Sequence, residues 1–143
     1  MNEKYLVFTI QKKLYALPSA IIGEVAALER VFPLPLVPGY VKGLINRYSV
    51  PYALIDISLL LFNETSGSKK IIVLKEEIDK LALLIDDVTD IADPDTQKIM
   101  KIEQETSMAG LVNSYFEWKD GQVFCIDAAE IISRIKRDFE QEP

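Results

Sequence analysis

The chain has 143 residues, 49% of them hydrophobic, with a formal charge of −6 and no histidine. That apolar content supports a cooperative core and excludes a disordered chain. The negative charge disfavours binding to phosphate backbones or anionic lipid, and without imidazoles the commonest general base and metal ligand are missing.

Met1-Asn2-Glu3-Lys4 runs directly into a strand candidate, without the basic and long apolar regions of an export signal. No apolar run approaches the ~18 residues needed to cross a bilayer, so a soluble protein is expected. Leu6-Val7-Phe8-Thr9-Ile10, a polar turn and Leu14-Tyr15-Ala16-Leu17 predict a hairpin, and Pro18-Ser19 predicts a short helix start. Pro33, Pro35 and Pro38 are too closely spaced for a helix or a central strand and predict an extended surface loop. Further strands are expected around Lys42-Gly43-Leu44-Ile45-Asn46 and Leu54-Ile55-Asp56, with Asp56 capping a short helix over Ser58 to Leu61.

After the polar stretch 63–68, Ile71-Ile72-Val73-Leu74, a turn over Lys75 to Lys80, and Leu81-Ala82-Leu83-Leu84-Ile85 predict a second hairpin. Asp120-Gly121, between Phe116-Glu117-Trp118 and Val123-Phe124-Cys125, signals a tight third hairpin. Asp127 begins the only long helix. Glu130 stands three places on, in a capping-box arrangement, and Ile131, Ile132, Ile135 and Phe139 form its apolar face.

These features occur twice in the same order, about 66 residues apart. The two hairpins correspond; Lys42-Gly43-Leu44-Ile45-Asn46 is mirrored by Ala109-Gly110-Leu111-Val112-Asn113, and Leu54-Ile55-Asp56 by Cys125-Ile126-Asp127. The expected organisation is a single domain over residues 1–143, with repeat units 4–62 and 69–137 joined by linker 63–68. Units this small should share buried surface. The predicted fold is mainly β: two small five-stranded barrels, SH3-like or OB-like, with a common core and a short C-terminal helix.

The residues offer little chemistry. Cys125 is the one cysteine, which excludes an internal disulfide framework; its apolar setting predicts an inert thiol and suits a reducing cytoplasm. The six glycines form no phosphate-cradling motif. Asp86, Asp87, Asp90, Asp93 and Asp95 are clustered, but counting from Asp86 puts Ile91 and Gln97 where an EF-hand needs glycine and glutamate. Their expected role is a solvated edge and turn. Asp56 and Asp127 each end an apolar strand before a helical segment and are expected to be structural caps. Lys12-Lys13 and Lys69-Lys70 are short pairs at strand ends, and Trp118 and the six tyrosines are dispersed rather than arrayed with basic residues. No cofactor and no metal are expected.

The order of motifs resembles the CheW chemotaxis coupling family. The carriers are Tyr5 to Ile10 with Tyr15-Ala16-Leu17, then Ile22-Gly23-Glu24-Val25, Phe32-Pro33-Leu34-Pro35 with Pro38, Val41 to Asn46, and Leu54-Ile55-Asp56. In the second half, Leu83 to Ile91, Gly110, Asp120-Gly121 and Ile126-Asp127 continue the match, so the resemblance covers about residues 4 to 135. It implies paired five-stranded barrels and a non-catalytic adaptor bridging the regulatory domain of a CheA-type histidine kinase to the cytoplasmic tip of a chemoreceptor; from the charge and the missing basic patch and apolar span, neither nucleic acid binding nor membrane insertion is expected. By position, Ile22, Glu24, Gly43, Asp90 and Ile91 match the family's receptor-facing region.

The chain departs from the family at Asn46-Arg47-Tyr48-Ser49, where Tyr48 falls at the usual arginine and Ala53 at a later proline. A phenol cannot grip what a bidentate guanidinium grips. Arg47, one place early, is expected to face the opposite side of a strand. Asn46, Arg47 and Tyr48 join the candidate partner-binding residues, and the departure suggests a divergent paralogue. Three other readings stand beside this one: a coupling domain detached from a kinase, an oligonucleotide-binding barrel, and a cation-binding protein or hydrolase using the Asp86 to Asp95 carboxylates.

Overall fold

The computed structural model describes residues 3–102, 110–119 and 121–140. Eleven strands and two helices are numbered here in chain order among those residues. The first half contributes β1 (Tyr5–Ile10), β2 (Lys13–Pro18), β3 (Ile22–Ala27), β4 (Val41–Arg47), β5 (Val50–Asp56) and α1 (Ile57–Phe62). The second contributes β6 (Lys70–Leu74), β7 (Leu81–Ile85), β8 (Asp87–Ala92), β9 (Met100–Lys101), β10 (Val112–Trp118), β11 (Gly121–Ile126) and α2 (Ala128–Glu140). The mainly β prediction holds.

The strands form a six-stranded sheet, β8-β1-β2-β11-β10-β9, and a five-stranded sheet, β3-β6-β7-β5-β4. Each sheet draws on both halves of the chain. The hairpin β1–β2 lies in the sheet otherwise built from the second half, and β6–β7 lies between β3 and β5 of the first. The exchange is made by two parallel pairings, β2 with β11 (Tyr15 opposite Phe124) and β5 with β7 (Leu54 opposite Ala82). All other ladders among the described residues are antiparallel.

The expected pair of closed five-stranded barrels is corrected in two respects. The first sheet has a sixth strand, the two-residue β9, and neither sheet closes by a continuous ladder among the described residues. In the five-stranded sheet the edges β3 and β4 are instead linked through the loop that follows β3. There Phe32 and Leu44 exchange two backbone hydrogen bonds of 2.8 Å.

Three apolar cores result. Ile45, Tyr52, Leu54, Ile71, Val73, Ala82 and Leu84 fill the five-stranded sheet. Val7, Ala16, Ala92, Phe116, Val123 and Cys125 fill the six-stranded one. The largest core uses the opposite faces of the same strands: Phe8, Tyr15 and Leu17 from one sheet meet Ile55, Ile72, Leu74 and Leu83 from the other. Strands buried on both faces lose the polar alternation of a one-sided sheet, which is why β6 and β7 read as continuous apolar runs.

Two tight turns take positive φ at both central residues, Gln11-Lys12 (52° and 67°) and Tyr48-Ser49 (53° and 67°), and Lys119 adopts 55° in the third. Such turns match the twist of the strands they join. Asp120 and Ala109, on which the predicted third turn and part of the repeat fall, lie outside the described residues.

The helix predictions hold in place, and both aspartates cap as expected, but the capping box with Glu130 does not form: the Asp127 amide donates to the Leu111 carbonyl at 2.7 Å. Pro18-Ser19 opens a single 3₁₀ turn, Ser19–Ile21. Asp56, fully buried, accepts from Leu59 N at 3.2 Å to cap α1 and from Ser66 N at 2.9 Å. Asp127 accepts from Ala129 N (3.0 Å) and Glu130 N (3.3 Å) at the start of α2. Ile131, Ile132 and Ile135 pack on the shared core, while Phe139 is partly exposed. The far end of α2 is tied to the chain just before β4, where the Tyr40 hydroxyl donates to Asp138 Oδ2 at 2.5 Å.

Candidate partner-binding site

The candidate residues fall on different sheets. Ile22, Glu24, Gly43, Asn46, Arg47 and Tyr48 belong to the two edge strands of the five-stranded sheet and the turn after β4, whereas Asp90 and Ile91 belong to β8, an edge of the other sheet.

Arg47 projects from the last position of β4 towards β3. Its Nε and Nη2 donate to Glu24 Oε1 at 3.0 and 2.6 Å, and both side chains are mostly buried. These bonds to Glu24 hold the guanidinium above its ordinary pKa. The strand alternation expected to set Arg47 and Tyr48 on opposite sides does not reach Tyr48, which lies in the turn after β4: it stands 84% exposed, with the Arg47 guanidinium 5.5 Å from its ring centroid. A cleft of about 340 Å³ opens beside them, lined by Gly23, Glu24, Arg47, Tyr48, Tyr52 and the β6 end with Lys75, Glu76 and Glu77.

Gly43 is buried and presents no side chain to a partner. A Cβ built there would lie 2.4 Å from the Phe32 carbonyl oxygen, at a φ of +140°. Its lack of a side chain is what lets the Phe32–Leu44 bridge form. Ile22 is half-buried against the shared core, and Asn46 is exposed next to Arg47.

The second cluster repeats the first. Asp90 stands 66 residues after Glu24 on the corresponding edge strand, and it too reaches the end of a hairpin strand. Its Oδ2 accepts from Trp118 Nε1 and from Lys119 Nζ, each at 2.8 Å, and its Oδ1 accepts from Ile91 N at 2.8 Å. Lys119 and then Trp118 are the main reasons its carboxyl is pulled down to about 2. A cleft of about 390 Å³ adjoins it, lined by Val7, Leu14, Thr89, Asp90, Trp118, Lys119 and Gly121. Ile91, 59% exposed, continues β8 beyond Asp90.

Sequence reasoning missed Trp118, Lys119 and Phe32. The only signal was Glu24 and Asp90 at equal repeat positions, which would have directed attention to the strand ends facing them.

The carboxylates from Asp86 to Asp95 do not converge. Asp86 accepts from Gln11 N at 2.8 Å, Asp87 pairs with Lys70 at 2.8 Å, Asp90 is held as described, and Asp95 caps Gln97 N at 3.1 Å. Among the described residues, no three acidic, histidine or cysteine side chains are grouped as metal ligands would be. Cys125 is buried, and that burial raises its thiol pKa.

Two sheets sharing a core, with an acid on one edge of each tied to the end of a facing strand, provide the geometry for comparison. The profile of the CheW-like domain matches residues 4–136. The chain belongs to the CheW-like domain family. Its fold is similar to the crystal structure of the scaffolding protein TtCheW from Thermoanaerobacter tengcongensis, with a TM-score of 0.81 and 22% identity over 90% of this chain and 86% of that one. No curated protein matches it in sequence. Within this CheW-like frame, no described helix is long and apolar enough to cross a membrane.

Proposed function

We propose that this CheW-like chain is a non-catalytic, cytoplasmic signalling adaptor that couples the cytoplasmic tips of chemoreceptors to the regulatory domain of a CheA-type histidine kinase. The observation that carries the reading is the family match across nearly the whole chain. It is supported by the internal pairing of the polar groups: Glu24, Asp56, Asp86, Asp90 and Asp127 each hold a strand end, turn or helix start together rather than converge on a substrate. An adaptor of this kind acts through shaped surface, and it transmits a signal only where its contacts differ between the partner's states.

The proposed contact faces are the corner of Glu24, Asn46, Arg47 and Tyr48, bordered by Ile22 and supported by Gly43, and the β8 edge with Asp90 and Ile91. Exposed edge strands and aromatic side chains are common docking features. Titration of the purified chain against a cognate kinase regulatory domain and a receptor-tip fragment tests the proposal. Saturable binding to both is expected, weakened by Ile91→Asp and unchanged by Asp95→Ala. Binding to neither partner overturns it.

A further inference from the structure

We infer that the far end of α2, residues 134–140, is a strap that opens and closes on the start of β4 through the Tyr40–Asp138 bond, and that closing it fixes the β4 edge. This is a motion of the chain by itself and stands apart from the adaptor reading, although β4 is one of the strands which that reading offers to partners.

The internal repeat sets this segment apart. Asp56 and Asp127 are equivalent caps, yet α1 runs for 6 residues after the first and α2 for 13 after the second. Residues 134–140 therefore have no counterpart in the first half, and Asp138 lies among them. Their hold on the body is light. The start of α2 is anchored by the fully buried Ile131 with Ile132 beside it, whereas in the extension Ile135 packs on the shared core and Phe139 is 40% exposed. A segment with few buried apolar contacts opens locally at a lower free energy than the whole fold.

The tie that closes the strap joins the two halves of the chain. Tyr40 buries its ring in the shared core, and its hydroxyl donates to Asp138 Oδ2 at 2.5 Å, the length of a charge-assisted bond. Arg134, one turn back along α2, donates from Nε to the same oxygen at 3.2 Å and steers the carboxylate towards Tyr40. Tyr40 in turn supports the start of β4. Its carbonyl accepts from Asp56 N at 2.8 Å, and Val41, the first residue of the strand, donates its amide to the Pro38 carbonyl at 2.9 Å.

The start of β4 is otherwise weakly held. β4 is an edge strand, its ladder with β5 shifts register between Val41 and Gly43, and the chain before it is the proline loop. At the opposite end Arg47 is tied to Glu24, so side-chain ties bracket the strand. Letting go of Tyr40 removes one of them and frees the first residues of β4.

The test is residue-resolved hydrogen exchange on the full chain at low, rising concentrations of denaturant, for wild type, Tyr40→Phe and Asp138→Asn. Tyr40→Phe keeps the buried ring and removes the hydroxyl alone. In the wild type the amides of 134–140 are expected to exchange about a hundredfold or more faster than the β7 amide of Leu83, corrected for intrinsic rates, and without response to the denaturant. The Val41 and Asp56 amides should exchange within about threefold of them, as parts of one opening unit. Each substitution should speed all of these amides about tenfold, the scale of one hydrogen bond to a charged group. Leu83, which opens with the whole fold, should speed by the same factor, because the unfolded chain lacks the bond as well. Protection at 134–140 equal to that of Leu83 in the wild type overturns the inference, as do rates there that neither substitution changes, the sign of an end that frays without breaking the tie. Val41 and Asp56 exchanging as slowly as Leu83 also overturn it, since the strap would then open without releasing β4.

Discussion

Glu24 and Arg47 stand on opposite edge strands of the five-stranded sheet, and their ion pair ties β3 to β4, which are not paired to each other in the sheet. Because both side chains are mostly buried, the pair is screened less than a surface bridge. Glu24→Gln is expected to destabilise the fold by about 1.5–3 kcal/mol, the range for hydrogen bonds to charged groups. Chemical denaturation with unchanged m-value checks it; a midpoint equal to wild type would show that the edges are held by the Phe32–Leu44 bridge alone.

That bridge depends on Gly43. An alanine Cβ would overlap the Phe32 carbonyl oxygen at 2.4 Å and would also have to adopt a φ of +140°. Gly43→Ala is therefore expected to cost about 2–3 kcal/mol. It should also speed hydrogen exchange at the Leu44 amide, which donates to Phe32. Protection at Leu44 equal to wild type would exclude this account of the glycine.

Asp90 gives the acid limb of stability a defined origin. Its folded carboxyl lies near 2, below the ordinary aspartate value of about 3.9. A depressed folded value means that the unfolded chain takes up the proton first as pH falls. The contribution is thus complete above about pH 4 and is lost as pH falls through about 2. Asp90→Asn should flatten the stability profile in that window, read by melting temperature at successive pH values, and should leave the profile near neutrality parallel to that of wild type.

The two capping aspartates should differ in weight. Asp56 is fully buried and satisfies Leu59 N and Ser66 N, so Asp56→Ala orphans two donors inside the protein. A loss of about 2–4 kcal/mol is expected, from about 1–3 kcal/mol per unsatisfied group. Asp127→Ala, at the more exposed start of α2, should cost about 1 kcal/mol, the ordinary value for a cap. Equal costs at both positions would show that burial is not what separates them.

Several features were legible from local residue patterns. The β1–β2 and β6–β7 hairpins followed from apolar runs and polar turns, and both capped helices from an aspartate at the end of a strand. The Pro33, Pro35 and Pro38 loop followed from the missing amide donors and fixed φ of proline. The turns Gln11-Lys12 and Tyr48-Ser49 were not legible as positive-φ turns, because neither contains the glycine or asparagine that normally marks one. The strands on either side impose those backbone angles.

The candidate site was legible only in part. Glu24, Arg47, Tyr48 and Asp90 could be singled out along the chain, but that Arg47 would be engaged by Glu24, and Asp90 by Trp118 and Lys119, could not. Those partners are 23, 28 and 29 residues apart.

The sequence by itself determined the class of the protein: a mainly β chain with a doubled pattern and capped short helices. Alternation and burial preference settle which face of a strand is apolar, and they act over a few residues. Only the tertiary structure decided which strands pair, that each half lends its first hairpin to the other's sheet, and that an acid on each outer strand is tied to a distant strand end. Those outcomes depend on long-range packing, where β2 meets β11 and β5 meets β7, and no local pattern encodes the choice of partner.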